Sequence, residues 1–378
     1  MPETGSVYLD YNATAPLRPA TAEAVAAALS VTGNPSSVHG YGRRARRLLE
    51  DARESVAALI GATPGEILFT SGGTEANTLA LHGIGRQRLL VSAGEHASVL
   101  EAVPDAEVVA LRPDGRLDLE DLAARLALSD VPALISVMLA NNETGVIQPV
   151  EAVVALARAQ GAVVHCDAVQ AAGKVPVDFG ALGVDLMSLS AHKLGGPQGV
   201  GALVVRDGVT LTPVLRGGGQ ERRRRAGTEN LPGIAGFGAA AAAAKDALAA
   251  FAALESLRDE LERRVQEIAA GVVCFGATVP RLANTSCLTM PGVAAETQVM
   301  ALDLDGIAVS AGAACSSGKV QSSHVLAAMG VPAAAADCAI RVSLGWQSAA
   351  ADVDAFVAAW RRLYARRRAA ARDVSTAA

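Results

Sequence analysis

Short apolar runs alternate with amphipathic stretches through the first half of the chain. The apolar runs are bounded by glycine, proline or polar residues, which is typical of buried strands, and the amphipathic stretches repeat apolar residues at helical spacing. The predicted strands are residues 66–70, 88–92, 108–111, 133–139, 162–166, 185–189 and 201–205, and the predicted helices are residues 21–29, 42–59, 97–102, 119–126 and 150–160. This alternation indicates an α/β fold with a mostly parallel, doubly wound sheet.

The pattern changes in the second half. Residues 234–270 predict one long helix, whose buried stripe is Leu254, Leu257, Leu261, Val265 and Ile268. Beyond it, strands at 286–290, 309–310 and 339–344 and helices at 325–329 and 353–368 indicate a second α+β unit. Because 378 residues exceed what one core usually supports, we expect two domains. The large one covers 15–255, and the small one covers 1–14 and 256–378.

Composition and charge narrow the class of protein. The net charge of −5 gives no basic surplus for nucleic acid or an anionic membrane surface. The most apolar span, residues 236–253, is broken by Lys245 and Asp246 and does not predict a membrane helix. The amino terminus lacks the pattern of a secretion signal, and the five cysteines form no CxxC pair. We therefore expect a cytoplasmic protein with free thiols, bound neither to membranes nor to nucleic acid.

A lysine lies between two apolar runs that predict core strands. Lys193 follows the run 184–189 and precedes the run 200–205, and the sequence Gly195-Gly196-Pro197 bends the chain directly after it. An ammonium group directed inward is desolvated and loses its proton more easily. The neutral amine can then form a Schiff base with an aldehyde cofactor. The alternative is an ordinary surface turn that carries a lysine.

Two further stretches suit a phosphorylated pyridine cofactor. Asp167 ends a predicted strand, where α/β sheets bind ligands, and a carboxylate there can keep a pyridine nitrogen protonated. Pyridoxal phosphate requires that protonation. The strand 66–70 is followed by Ser71-Gly72-Gly73-Thr74 and a helix, which together form an anion site of free backbone N–H groups. The alternative for this second stretch is a plain turn between a strand and a helix.

The ordered set of motifs resembles the cysteine desulfurases, pyridoxal-phosphate enzymes of the class V aminotransferase group. The resemblance runs from Tyr8-Leu9-Asp10-Tyr11-Asn12-Ala13-Thr14 to about Trp346. It includes the stretches 71–77, 141–145, 226–228 and 310–318. It implies the transferase fold of type I, in which a large domain with a mostly parallel, seven-stranded sheet is joined to a smaller α+β domain.

The resemblance also implies a set of site residues. Lys193 carries the cofactor, Asp167 holds the ring nitrogen, and His96 stacks on the ring and moves protons. Gln170 and Asn142 contact the ring hydroxyl oxygen. The phosphate contacts are Gly73, Thr74, Ser190 and His192, with Thr228 supplied by a partner subunit, so that a homodimer is implied. Arg341 binds the substrate carboxylate with help from Asn34, and no metal is expected. His96 could instead face solvent, and Arg341 could instead form a buried structural salt bridge.

A cysteine within a stretch of small residues is the candidate nucleophile. Between Ser310 and Gly318 no aliphatic side chain exceeds alanine, which predicts an exposed, flexible loop around Cys315. A nucleophilic cysteine must be reachable as the thiolate. The other four cysteines, Cys166, Cys274, Cys287 and Cys338, lie in or beside apolar runs and are expected to be structural. The length and residue spacing of the stretch 310–326 resemble those of the catalytic loop in the long-loop class of desulfurases.

The expected reaction converts L-cysteine to L-alanine and leaves a persulfide for a sulfur-acceptor protein. Iron–sulfur cluster assembly and the thiolation of tRNA or cofactors are the implied pathways, and the sequence leaves the acceptor open. Selenocysteine lyase and class V aminotransferase remain as alternatives, although Cys315 argues against the aminotransferase. A binding module for RNA through the arginine run 222–225 is a third alternative. The intact set of Lys193, Asp167 and Thr74 argues against that module.

Overall fold

The computed structural model describes residues 6–311 and 322–376, with side chains to residue 369. Its strands are β1 Val7–Tyr8, β2 Ile67–Thr70, β3 Arg88–Ser92, β4 Glu107–Val109, β5 Ala133–Met138, β6 Val163–Asp167, β7 Leu186–Ser190, β8 Gly201–Val205, β9 Cys274–Phe275, β10 Thr285–Thr289, β11 Ile307–Ala308, β12 Ser310–Ala311 and β13 Ala339–Ser343. Its helices are α1 Pro19–Leu29, α2 Gly40–Leu59, α3 Gly73–Gly83, α4 Ala97–Leu100, α5 Leu119–Ala127, α6 Val150–Ala159, α7 Phe179–Leu182, α8 Leu231–Asp246, α9 Leu248–Ala252, α10 Leu254–Ile268, α11 Ala295–Leu304, α12 His324–Ala328, α13 Ala333–Ala336 and α14 Ala350–Thr376.

Seven strands form the large sheet in the order β2-β8-β7-β6-β5-β3-β4. Strands β7, β6, β5, β3 and β4 are parallel, whereas β8 runs antiparallel to both of its neighbours. Alternate side chains enter different cores: Ile67 and Val204 belong to one cluster, and Leu68 and Leu203 belong to another. Both faces of the sheet are therefore covered, which explains why its strands are continuous apolar runs. The predicted α/β fold with a mostly parallel sheet of seven strands is confirmed.

The carboxyl ends of the parallel strands carry the polar groups of the site. Strand β6 ends at Asp167 and pairs in register with β7, so that Asp167 lies beside Ser188. Strand β7 ends at Ser190, where a short 3₁₀ turn, Ala191–Lys193, leads towards β8. Ligands of open α/β sheets bind at this edge.

Small residues let the helices of the large unit approach closely. Helix α8 packs on α1 and α2. A Cβ atom added to Gly238 of α8 would lie 2.6 Å from Cα of Ala52 in α2. The alanine and glycine content of this segment therefore reflects close helix packing.

A second sheet in the order β12-β13-β10-β9 forms the smaller unit, with all its pairings antiparallel. Its core includes the fully buried Phe356 and Trp360 of α14. The amino-terminal strand β1 pairs in parallel with β11, on the side of the smaller unit. The division into 15–255 and 1–14 with 256–378 stays a prediction.

The single long helix expected at 234–270 is wrong. The chain forms α8, α9 and α10 instead, and the axis turns by 66° between Leu231–Asp246 and Leu248–Ile268. The turn has a packing cause, because α8 packs on α1 and α2, whereas α10 packs on α14 and β10. Among the helices that the structure describes, none is by itself long and apolar enough to cross a bilayer, and this bent pair passes that test only jointly, on length and composition.

Candidate active site

A cavity of about 640 Å³ lies between the carboxyl ends of the large sheet and the smaller unit. Ten of the predicted site residues line it: Gly73, Thr74, His96, Asn142, Asp167, Gln170, Ser190, His192, Lys193 and Arg341. These residues come from positions as far apart in sequence as 73 and 341. The structure therefore brings into one cavity most of the residues that were predicted from separate motifs.

Lys193 is the amine of this cavity. The turn that carries it needs glycine after it: Gly195 has a φ of +82°, and a Cβ added to Gly196 would lie 2.8 Å from the carbonyl oxygen of Ala191. Its Nζ donates to the backbone oxygens of Asn12 at 2.6 Å and Ala13 at 2.8 Å. Burial lowers the pKa of Lys193 to about 8. A larger fraction of this amine is thus neutral near pH 7 than in an exposed lysine.

The charges around Lys193 act in opposite directions on its pKa. The guanidinium of Arg341 lowers the pKa further, whereas the carboxylates of Asp10 and Asp167 raise it. Burial is the largest of these effects. The cavity thus increases the neutral, nucleophilic fraction of the Lys193 amine, and the two carboxylates partly offset this effect.

The Asp167 carboxylate is fixed at the floor of the cavity. It is 6% exposed, and its Oδ1 accepts from the backbone N–H of Val169 at 2.9 Å. Its Oδ2 accepts from Nδ2 of Asn77 at 2.8 Å. Asn77 also donates to Oγ of Ser98, which hydrogen-bonds the ring of His96. Asp167 and His96 are therefore joined through two side chains that also line the cavity.

Beneath Asp167 lies a buried layer of polar side chains. Oγ of Ser136 lies 2.9 Å from Nδ1 of His165, whose Nε2 lies 2.9 Å from Oγ of Ser188. Burial raises the pKa of Glu95 to about 8, with the charge of Asp167 as second cause, and burial lowers the pKa of His165 to about 4. Both groups are therefore neutral at pH 7, and the layer supports the carboxylate of Asp167 without adding a net charge.

His96 caps the short helix α4. Its Nδ1 accepts from the backbone N–H of Ser98 at 3.1 Å, so the neutral ring carries its proton on Nε2. His96 lines the cavity and is exposed in the single chain, and partial desolvation of its ring lowers the pKa of His96, with the charge of Asp167 opposing. His96 thus presents a neutral ring, which suits stacking on a cofactor.

The start of α3 forms the anion end of the cavity. A Cβ added to Gly73 would lie 2.9 Å from Cγ2 of Val169. A Cβ added to Gly201 would lie 2.6 Å from the carbonyl carbon of Gly72. Only glycine permits this approach of β8 to the loop, and Gly73 and Thr74 in the first turn of α3 line the cavity together with Ser190.

His192 lies at the anion end of the cavity, and its side chain is neutral. Burial lowers the pKa of His192 to about 4, with the charges of Lys193 and Lys174 acting in the same direction. Its Nδ1 lies 2.9 Å from Oγ1 of Thr14. Any phosphate contact of His192 is therefore made by a neutral ring.

Arg341 combines both roles that the sequence left open. Its Nη2 donates to Oδ1 of Asp10 at 2.8 Å, in a salt bridge, and its Nη1 donates to the backbone oxygen of Asn142 at 3.1 Å. Its Nε is buried and has no hydrogen-bond partner among the residues that the structure describes. Asp10 in turn accepts from Oγ of Ser310 at 2.8 Å. The guanidinium is thus oriented by a structural ion pair while the residue also lines the cavity.

Gln170 and Asn142 both line the cavity that would hold the cofactor ring. Nε2 of Gln170 donates to the backbone oxygen of Asn12 at 2.9 Å, and its Oε1 accepts from Nζ of Lys174 at 2.6 Å. The second hydrogen of Nε2 has no partner among these contacts. The predicted donation to a ring hydroxyl stays a prediction.

Three predicted site residues do not line the cavity. Asn34 is exposed, and its Oδ1 closes a turn by accepting from the backbone N–H of Ser36 at 2.8 Å, so the single chain does not bring it to the substrate position. Thr228 is exposed and outside its own cavity, and its action on a partner subunit stays a prediction. Cys315 lies outside the described residues, although Ser310 and Ala311 line the cavity.

Three of the described cysteines, Cys166, Cys274 and Cys287, are poor nucleophiles. Cys166 and Cys287 are fully buried, and this burial raises the pKa of both thiols. Burial also raises the pKa of Cys274 to about 12. The expectation that these cysteines are structural agrees with their thiols being held protonated.

The sequence interpretation missed several residues that hold the site together. Asn12, Asp10 and Asn77 lie inside stretches that the resemblance covers, but their polar partners are distant in sequence. Lys174 gave no signal at all, because an apolar pattern does not reveal that a lysine is buried. Asp10 and Asn12 could have been found from their position, because the polar residues of the amino-terminal turn must pack against another part of the chain.

The donor set fits pyridoxal phosphate. Lys193, an amine of lowered pKa, would bond the aldehyde, the carboxylate of Asp167 would hold the ring nitrogen, and the opening turn of α3 would hold the phosphate. Arg341, which also lines the cavity, remains for a substrate carboxylate. The residues present therefore match the aldehyde, the ring nitrogen and the phosphate of the cofactor.

Comparison with known proteins agrees with this geometry. The model of the family "Aminotransferase class-V" matches residues 7–356. A cysteine desulfurase of Cereibacter sphaeroides is 47% identical over 363 residues, 92% of this chain and 93% of that protein. An IscS-like cysteine desulfurase of Mycobacterium tuberculosis is 44% identical over 367 residues, 92% of this chain and 93% of that protein.

The solved structures agree as well. The structure of a NifS-like protein from Rickettsia africae superposes with a TM-score of 0.89 at 35% identity, covering 95% of this chain and 99% of that one. Family, relatives and structure favour a desulfurase over the aminotransferase and the binding module. From its first strand to its last helix, the chain belongs to the class V aminotransferases and, within them, to the pyridoxal-phosphate-dependent cysteine desulfurases.

Proposed function

We propose that this cysteine desulfurase converts L-cysteine to L-alanine and retains the sulfur as a persulfide on Cys315. The observation that carries the proposal is that Lys193, Asp167 and Arg341 line one cavity. The amine, the acid and the guanidinium match the three polar groups that the reaction must hold: the aldehyde, the ring nitrogen and the substrate carboxylate.

Arg341 binds the carboxylate of the substrate at the cavity wall. Asp10 accepts from its Nη2 and the backbone oxygen of Asn142 accepts from its Nη1, and these two contacts fix the plane of the guanidinium. A charged donor that is already oriented binds a carboxylate without first having to be ordered. This contact fixes the α-carbon of the substrate relative to Lys193.

Lys193 would act as the base towards the substrate in the loaded enzyme. Its Nζ takes the α-proton, and the backbone oxygens of Asn12 and Ala13 accept from the resulting ammonium. Asp167 keeps a proton on the ring nitrogen. Bound pyridoxal phosphate supplies the electron sink that weakens the bonds at the α-carbon. His96, with its proton on Nε2, would stack on the cofactor ring.

Cys315 receives the sulfur. Its thiolate forms a bond to the substrate sulfur while the bond between that sulfur and Cβ breaks, and the electron pair of the broken bond stays with carbon, which is then protonated. L-Cysteine and a thiol become L-alanine and a persulfide, so atoms and electrons balance without an external oxidant.

The proposal also includes a homodimer, a cytoplasmic location and a sulfur-acceptor protein. Thr228 is exposed on a segment anchored by the ion pair of Arg225 and Glu75, which supports contact with a partner subunit's phosphate in a homodimer. The free described thiols support a cytoplasmic setting. A sulfur-acceptor protein, of iron–sulfur cluster assembly or of thiolation, takes the persulfide.

The experiment is spectroscopic and chemical. Purified protein loaded with pyridoxal phosphate is mixed with L-cysteine, and the cofactor spectrum and the alanine formed are both recorded. We expect a spectral change followed by alanine in amounts equal to the sulfur released. A spectral change without alanine would contradict the proposal, and so would pyruvate in place of alanine.

A further inference from the structure

Lys174 is a buried lysine that the reaction as described does not use. It is 4% exposed, and its Nζ donates to Oδ1 of Asn12 at 2.7 Å and to Oε1 of Gln170 at 2.6 Å. In the part of the chain that the structure describes, it forms no ion pair with a carboxylate. Burial without a counter-charge lowers the pKa of Lys174 well below its ordinary value.

The backbone places this lysine firmly. Lys174 lies four residues after Gln170 in a helical turn, and its N–H donates to the backbone oxygen of Ala171 at 3.0 Å. Gly173, with a φ of +73°, leaves no room for a side chain, because an added Cβ would lie 2.9 Å from Cβ of Ala244. The backbone from which the Lys174 side chain extends is therefore fixed against helix α8.

Asn12 connects the two lysines. Its backbone oxygen accepts from Nζ of Lys193 at 2.6 Å and from Nε2 of Gln170 at 2.9 Å. Its Oδ1 accepts from Nζ of Lys174 at 2.7 Å and from Nδ2 of Asn284 at 3.1 Å. Lys174 thus holds both the side chain of Asn12 and the amide of Gln170, and these two in turn set the oxygen on which Lys193 rests.

The remaining polar atoms of Asn12 tie it to the smaller unit. Its N–H donates to Oγ of Ser343 at 3.0 Å, and its Nδ2 donates to Oγ1 of Thr285 at 2.9 Å and to the backbone oxygen of Asn142 at 3.2 Å. Asn12 is 1% exposed, and every polar atom it has is used. A fully satisfied buried network defines one arrangement of its members.

We propose that Lys174 and Asn12 are positioning residues that hold the free amine of Lys193 at the cavity wall, ready to bond to the cofactor. Nζ of Lys174 holds two oxygens at once, Oδ1 of Asn12 and Oε1 of Gln170, and Nε2 of the same glutamine donates to the Asn12 oxygen that accepts from Lys193. This inference rests on the proposed function, in which Lys193 is the lysine that condenses with the cofactor aldehyde and releases one water.

The test compares covalent with non-covalent binding in the apoprotein. Variants K174M and K174Q are prepared, with K245M as the matched control, because Lys245 is an exposed lysine of the same unit. Pyridoxal phosphate is added, and the rate of its bonding to lysine is followed by absorbance. Pyridoxine 5′-phosphate, which has no aldehyde, reports the non-covalent site alone. Thermal unfolding verifies that each variant is folded, and K174Q carries the test if K174M does not fold.

We expect K174M to slow the covalent step about tenfold or more, as for the loss of a buried hydrogen-bond donor, with K174Q slowed less. The affinity for pyridoxine 5′-phosphate should stay within about twofold of the parent protein. Unchanged bonding rates would overturn the inference. An equal loss for both ligands would also overturn it, since Lys174 would then be only structural. Borohydride reduction of the parent protein separates the two proposals, because a label away from Lys193 would contradict the proposed function itself.

Discussion

At the scale of single residues, the site works by opposing effects on charge. Burial shifts Lys193 towards the neutral amine, while Asp10 and Asp167 keep part of its counter-charge in place. Glu95 and His165 are neutral below the floor, so that Asp167 supplies the negative charge there. The chemistry therefore depends on which groups are charged as much as on where they lie.

The first prediction concerns Asp167. Asp167→Asn keeps the shape of the floor and the contact with Asn77 but removes the charge that keeps the ring nitrogen protonated. Alanine formation should fall by at least about 100-fold, the usual size of a lost proton-holding group. Steady-state alanine assays with Asp130→Asn, an exposed carboxylate, as control measure the effect. A loss of only a few-fold would mean that Asp167 does not serve the ring.

The lowered pKa of Lys193 predicts a pH dependence of stability in the apoprotein. Between about pH 8 and 10.5 the folded chain has released this proton, whereas the unfolded chain still holds it. The unfolded state then binds more protons, so the free energy of unfolding rises with pH, by at most about 1.4 kcal/mol per unit from this group.

Denaturant titrations at pH 8, 9 and 10 measure that rise. Lys193→Met should show a smaller slope than the parent protein, because its side chain cannot titrate. Lys245→Met, which removes an exposed lysine, should keep the parent slope. Identical slopes in all three proteins would show that Lys193 titrates normally.

At the scale of elements, the pattern of apolar residues predicted the strands because both faces of the large sheet are buried. It failed at 234–270, where alanine fills every side of the helix and the pattern does not mark the 66° turn that packing imposes. Lys193 and Asp167 could be predicted because they follow strands. Asn12 and Lys174 could not, because the contact between them joins segments 162 residues apart.

The close approach of α8 and α2 gives a prediction at this scale. Gly238→Val places methyl groups where Cα of Ala52 is already 2.6 Å from an added Cβ, so the helices must separate. We expect a loss of about 1–3 kcal/mol in the free energy of unfolding. Chemical denaturation measures it, with Gly40→Ala as control, because the space at Gly40 is open apart from the end of Arg43. Unchanged stability would show that the helices can yield without cost.

At the scale of the whole molecule, the site is built from two units and the amino-terminal segment. Asn12 contacts both units, and Asp10 joins Arg341 of β13 to Ser310 of β12. A homodimer would add a third contributor through Thr228. The exposed position of Thr228 outside its own cavity suits that role.

Mixing subunits tests this arrangement. Lys193→Ala and Thr228→Val proteins, each impaired alone, are denatured together and refolded. A hybrid dimer then has one site with both Lys193 and Thr228 intact, and alanine formation should return to about a quarter of the parent value by the statistics of random pairing. Separately refolded proteins are the control. No recovery would show that Thr228 does not act across the interface.

The central claim is that sulfur passes from L-cysteine to Cys315. In a single turnover with protein in excess, alkylation of thiols and peptide mapping should place one persulfide on Cys315 for each alanine formed. Cys315→Ser should retain the cofactor and its spectral response to L-cysteine but lose alanine formation by orders of magnitude, because a hydroxyl cannot replace a thiolate. A Cys338→Ala control should form alanine like the parent protein. Alanine formed by Cys315→Ser at close to the parent rate, or a persulfide mapped to another cysteine, would contradict the account.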